Sequence, residues 1–107
     1  MTQTINPEDL FKQLNNKDSG IRCLDVRRDD EVAQGMIPTA DHIPLSLLSE
    51  QYTQLDKALT WVIYCKRGGR SLKACVFLES KGYQVVNLTG GYDAFKVLGS
   101  SGDGHLD

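Results

Sequence analysis

The chain has 107 residues, of which 40% are hydrophobic and 24% charged, and a formal net charge of −2. That length suits a single domain with its own core, without disulfide or metal staples. The charge excludes a general polyanion binder, which would be basic overall, so no nucleic-acid partner is expected. No apolar run approaches the length of a membrane span. The start, Met1-Thr2-Gln3-Thr4-Ile5-Asn6, lacks the cationic and apolar segments of an export signal. The three cysteines, Cys23, Cys65 and Cys75, are odd in number and match no zinc spacing. They read as reduced thiols of a cytoplasmic protein with no metal and no other cofactor.

Asn6-Pro7-Glu8-Asp9 is a helix start: Asn6 caps, Pro7 suits the first turn, and the acids face the positive dipole end. Leu10, Phe11 and Leu14 form its apolar face, and the helix ends near Asn15-Asn16, before the turn Lys17-Asp18-Ser19-Gly20. Ile21 to Arg27 reads as a strand, its adjacent Cys23 and Leu24 suiting a strand covered on both faces. Asp29 to Gly35 is a short acidic helix with a glycine stop. A loop with Pro38 leads to a very short strand at His42 to Leu45, limited by Pro44. Leu47, Leu48, Tyr52, Leu55 and Leu59 recur at helical spacing, predicting one helix or two short ones over Ser46 to Leu59.

Trp61-Val62-Ile63-Tyr64 is an apolar run that reads as a buried strand. Cys65 ends it, and Lys66-Arg67-Gly68-Gly69-Arg70 forms a basic loop before Ser71 opens a helix to Lys81, with Leu72, Cys75, Val76, Phe77 and Leu78 expected inward. Tyr83 to Leu88 is the next strand, Thr89-Gly90-Gly91 a tight turn, and Tyr92 to Leu98 a final helix. Strands alternate with helices, so the predicted fold is α/β, a parallel central sheet with helices on both faces. One domain over 1–99 is expected, with 100–107 a flexible tail of Gly, Ser and Asp composition.

In such sheets ligands sit at the carboxyl ends of the strands, where Cys65 falls. A thiol followed by a glycine-rich loop and a helix N-terminus makes an anion-binding cup with a nucleophile at its base. The loop amides, the helix dipole and Lys66, Arg67 and Arg70 are each expected to lower the thiol pKa. Cys65 is therefore the candidate catalytic residue, and Lys66, Arg67, Gly68, Gly69, Arg70 and Ser71 the candidate substrate-binding residues. Trp61 to Lys73 holds four cations, Lys66, Arg67, Arg70 and Lys73, and no acid. Local positive charge in an acidic chain suggests a small anionic ligand.

Asp25 and Arg27, at the end of another strand, are candidate supporting residues, most simply an ion pair and a carboxylate fixing loop amides. Cys23 and Cys75 read as core residues. His42 and His105 have no neighbour that suggests a Cys–His dyad, and Gly90-Gly91 is more simply a turn than a phosphate site. Cysteine phosphatases place five residues between Cys and Arg, whereas here four separate Cys65 from Arg70. The shorter loop makes a smaller ring, better suited to a persulfide sulfur than to a phosphate.

The chain resembles the single-domain rhodanese-like sulfurtransferases. The matching residues are Leu24-Asp25-Val26-Arg27 with Glu31 and Gly35, Tyr64 through Ser71, Ala74, Leu78, Gly82-Tyr83 and Val86-Asn87-Leu88-Thr89-Gly90-Gly91. The resemblance implies that Cys65 takes the outer sulfur of a donor such as thiosulfate. The resulting persulfide passes its sulfur to cyanide, a small thiol or a protein thiol. A cationic loop is associated in this family with thiosulfate. The alternative that the resemblance leaves is a non-catalytic interaction or regulatory module. Where the family carries Gly-His-Ile-Pro-Gly-Ala, this chain has Gly35-Met36-Ile37-Pro38-Thr39-Ala40, which implies altered loop packing. Phe95 stands where the family often has Trp.

Overall fold

The computed structural model describes residues 2–16 and 18–105, with the side chains of 99–105 left aside. Five strands form one sheet: β1 (Gln3–Ile5), β2 (Ile21–Asp25), β3 (Asp41–His42), β4 (Thr60–Tyr64) and β5 (Gln84–Leu88). Their order is β1-β5-β4-β2-β3 and every pairing is parallel. The helices are α1 (Pro7–Leu14), α2 (Asp29–Val32), α3 (Leu45–Gln51), α4 (Gly69–Ser80) and α5 (Gly91–His105), with a 3-10 turn over Tyr52–Gln54 after α3. Among the described residues no helix is long and apolar enough to cross a membrane.

The α/β architecture is the one the alternation predicts. The start of α1 also matches: the Asn6 carboxamide oxygen accepts the Asp9 amide at 2.8 Å. The short β1 is a strand that the sequence did not announce. Its three residues carry no distinct alternation, and only pairing with β5 makes them a strand. Other boundaries move: β2 ends at Asp25 rather than Arg27, α2 at Val32 rather than Gly35, and the short strand β3 sits at Asp41–His42. Helix α5 runs past the predicted end at Leu98; the side chains of the expected tail, 100–107, lie outside the described residues, as does Lys17 of the predicted turn.

Side chains alternate across the sheet, so β4 supplies both faces. Trp61, Ile63 and Cys65 join Leu24, Leu48, Ala74, Cys75 and Leu78 in the cluster beneath α3 and α4. Val62 and Tyr64 join Leu10, Cys23, Ile37 and Leu88 in the cluster on the opposite face, where Tyr92 and Phe95 of α5 also pack. Phe95 thus fills the aromatic place in the last helix.

Helix α4 is rotated relative to expectation. Ser71, Ala74, Cys75 and Leu78 face inward, while Leu72 and Val76 are exposed, and so is Phe11 on α1. Ser71 displaces Leu72 from the interior because its hydroxyl has polar partners there. In the loop after α2, Thr39 holds a left-handed φ of 67°. A β-branched residue in that region carries roughly 1–2 kcal/mol of strain. The Ile37 amide donates to the buried Tyr64 hydroxyl at 3.0 Å and pins the segment to β4.

Candidate active site

The site starts from the edge where β4 stops. Register places Asp25 of β2 beside Tyr64 and Asn87 of β5 beside Ile63. Cys65 therefore emerges between Asp25, the last residue of β2, and Asn87, near the end of β5. Gly68 adopts φ 118° and caps α4 in a conformation that only glycine takes without strain. This turn aims the first amides of α4 back at the sulfur: Gly68 N lies 3.1 Å and Ser71 N 3.4 Å from Cys65 Sγ.

A polar chain continues behind the sulfur. The Cys65 thiol donates to the Ser71 hydroxyl at 3.5 Å. That hydroxyl donates to Asn87 Oδ1 at 2.6 Å, and Asn87 Nδ2 donates to the Gly68 carbonyl at 3.3 Å. When Cys65 ionises, the Ser71 hydroxyl is placed to turn and donate to the thiolate. Burial opposes that ionisation, but the Ser71 hydroxyl and the amides of Ser71, Gly68 and Arg67 outweigh it, and the thiol pKa lies below its ordinary value. The lowering thus comes chiefly from neutral donors, with the loop cations in a lesser role than the sequence suggested.

Those cations are compensated by residues distant in sequence. Lys66 Nζ lies 3.0 and 3.2 Å from the two carboxylate oxygens of Asp93 on α5, and Arg67 Nε lies 3.5 Å from Oδ2. Lys66 beside it holds the Asp93 carboxyl below the usual range. Arg70, expected at the rim or inside the cup, instead grips Glu31 of α2 through two bonds of 2.7 and 2.9 Å. This grip holds the Glu31 carboxyl down to about 2. Lys73 is exposed and in no ion pair among the described residues.

Helix α5 also fastens the loop backbone. The Tyr92 amide donates to the Cys65 carbonyl at 2.8 Å and the Asp93 amide to the Lys66 carbonyl at 3.1 Å. The approach is so close that a Cβ on Gly91 would lie 2.5 Å from both carbonyl oxygens. Gly90-Gly91 is the expected turn, and Gly91 is in addition what lets α5 reach the loop.

Asp25 and Arg27 form a buried pair. Arg27 Nη2 lies 2.7 Å from Asp25 Oδ2, Arg27 Nε 3.0 Å from each carboxylate oxygen, and the Arg27 amide also donates to Oδ1 at 2.9 Å. The guanidinium donates to the Gly35 carbonyl at 2.7 Å and stacks 4.3 Å from the Tyr92 ring centre. Arg27 thereby ties β2, the loop after α2 and α5 together. His42 Nε2 donates to the Arg27 carbonyl at 2.8 Å, and His42 does not pair with Cys65 among the described residues. A hollow of about 310 Å³ opens beside Lys66, lined among others by Arg27, Glu31, Tyr92 and Asp93.

Of the predicted site residues, Cys65, Gly68 and Ser71 meet directly, through the Gly68 and Ser71 amides and the Ser71 hydroxyl. Gly69 shapes the turn as the first residue of α4, and Lys66, Arg67 and Arg70 point to carboxylates. Asn87, Glu31 and Asp93 were missed as site residues. Asn87 left a trace, a polar residue inside the apolar run Val85-Val86-Asn87-Leu88. Glu31 stood among the residues of the resemblance without a site role, and Asp93 left no trace, because acids in a first helical turn are common for dipole reasons alone.

A strand-end thiol cradled by the N-terminus of the next helix, on a parallel sheet covered on both faces, defines the class of this domain. The Rhodanese-like domain family model matches residues 6–98, and the chain belongs to that family. It is 39% identical over 86 residues to YtwF of Bacillus subtilis, covering 80% of this chain and 84% of that protein. It is 38% identical over 96 residues to the sulfurtransferase of Allochromatium vinosum, covering 89% of each. The crystal structure of a rhodanese-related protein from Thermoplasma volcanium superimposes with a TM-score of 0.84 at 30% identity, over 91% of this chain and 93% of that one.

Proposed function

We propose that the protein is a sulfurtransferase that carries sulfane sulfur as a persulfide on Cys65, with thiosulfate or a similar small anion as donor. The observation that carries this reading is the convergence of the Gly68 and Ser71 amides and the Ser71 hydroxyl on one sulfur of lowered pKa. The membership of the family and the relative named as a sulfurtransferase support it.

The Cys65 thiolate attacks the outer sulfur of thiosulfate. A Cys–S bond forms, the S–S bond of the donor breaks, and its electron pair leaves with sulfite. The terminal sulfur of the persulfide carries the negative charge, which the same inward-turned donors stabilise. A nucleophile then attacks that terminal sulfur: cyanide leaves as thiocyanate, and a thiol of a small molecule or protein leaves as a new persulfide. The Cys65 thiolate is the leaving group and is restored. No metal or redox partner is required, since the sulfur is only handed on.

Intact mass after thiosulfate treatment tests the reading. The wild type gains one sulfur, cyanide removes it, and Cys65→Ser gains none. Thiocyanate formation by Cys65→Ser at the wild-type rate would overturn the mechanism.

A further inference from the structure

We propose that Asp93 is a donor-specificity residue, which restrains the positive charge of the Cys65 loop and so weakens the attraction of the site for highly charged anions. The inference deepens the sulfurtransferase reading and takes its biological meaning from it.

Asp93 is held where it can do this. Its amide is bonded to the Lys66 carbonyl, so the first turn of α5 cannot drift from the loop. Its carboxylate meets three cations: Lys66 at 3.0 Å, Arg67 at 3.5 Å and Lys96 at 3.8 Å. The hollow beside Lys66 is lined by Arg27, Lys66 and Lys96 together with the acids Glu31 and Asp93. Arg27 is committed to Asp25, and Lys66 and Lys96 to Asp93. Glu31 is in turn committed to Arg70. An anion entering there finds its cations engaged by a carboxylate, which repels it as well. Coulomb energy scales with the product of charges, so a dianion is penalised about twice as much as a monoanion. Asp93 is partly solvated, which keeps the effect within the range of surface ion pairs.

The test compares the wild type with Asp93→Asn and Asp93→Ser, both neutral and both tolerated in a first helical turn. Thermal melts confirm folding. The KM for thiosulfate is expected to fall roughly two- to fivefold with kcat unchanged, and the gain to shrink in high salt. A second readout needs no sulfur transfer: the rate of Cys65 alkylation by iodoacetate, an anion, divided by that by iodoacetamide, which is neutral. Both displace iodide from the same thiolate, so a changed thiol pKa cancels, and the ratio is expected to rise about twofold in the variants. An unchanged or lower ratio overturns the proposal, whether or not thiosulfate is a substrate. A raised ratio in a protein inactive toward thiosulfate sustains the role of Asp93 and overturns the choice of donor instead.

Discussion

Cys65 and Cys75 belong to one apolar cluster, and solvent reaches neither, at 2% and 0% exposure. Their thiols nevertheless behave in opposite ways. Burial pushes the Cys75 thiol up to about 12, and Cys23 on the opposite face behaves likewise. Cys65 is lowered. Cys75 has no hydrogen-bond donor among the described residues, whereas Cys65 has two amides within 3.4 Å and a hydroxyl at 3.5 Å. At equal burial one thiol pKa is raised and the other lowered; what differs is whether backbone N–H groups remain unspent. Within α4 they are consumed by the helix, while at its N-terminus they are free to point at sulfur.

Removing the fastening of the loop should erase the difference most completely. Gly91→Ala places a methyl against the Cys65 and Lys66 carbonyls and fixes a left-handed φ that alanine resists. The loop must shift, and kcat/KM for thiosulfate should fall roughly 100-fold while circular dichroism shows a folded chain. Wild-type activity would mean that α5 is not what holds the donors in register.

Ser71→Ala removes one donor and leaves the amides. The depressed thiol pKa means that the thiolate, and the activity it supports, appears at lower pH than for an ordinary thiol. Without the hydroxyl, the pH profile of iodoacetamide alkylation should move to higher pH, and the rate at neutral pH should drop roughly three- to tenfold. A profile that does not move would assign the whole effect to the amides.

The smallest effect sharpens the comparison from the other side. Cys75→Ala should leave sulfur transfer intact and lower unfolding stability by about 1 kcal/mol, the scale of a small core truncation, read from the urea midpoint. Loss of activity would break the contrast by placing Cys75 in the chemistry.

Much of this was visible in the chain itself. The alternation of apolar runs with amphipathic segments announced the parallel sheet, and the cap at Asn6 marked a helix start that the structure confirms, whereas α4 opens at Gly69, two residues before the expected Ser71. Cys65 stood out because a thiol between a buried strand and a glycine loop has few other uses. The inward face of α4 was misjudged because hydrophobicity alone favours Leu72 over Ser71. Only the presence of Asn87 on the neighbouring strand makes Ser71 the better interior residue.

The charge reading marks the boundary most clearly. By itself the sequence determined that the stretch from Trp61 to Lys73 holds four cations and no acid, because charge is a property of residue type and position. Whether that charge is free was decided by the fold alone. Asp93 reaches Lys66 and Arg67 because β5 lies beside β4 and delivers α5 to the loop, and Glu31 reaches Arg70 because β2 flanks β4 on its other side. Coulomb interactions depend on distance in space, and strand order, which converts distance along the chain into distance in space, is settled only when the sheet assembles.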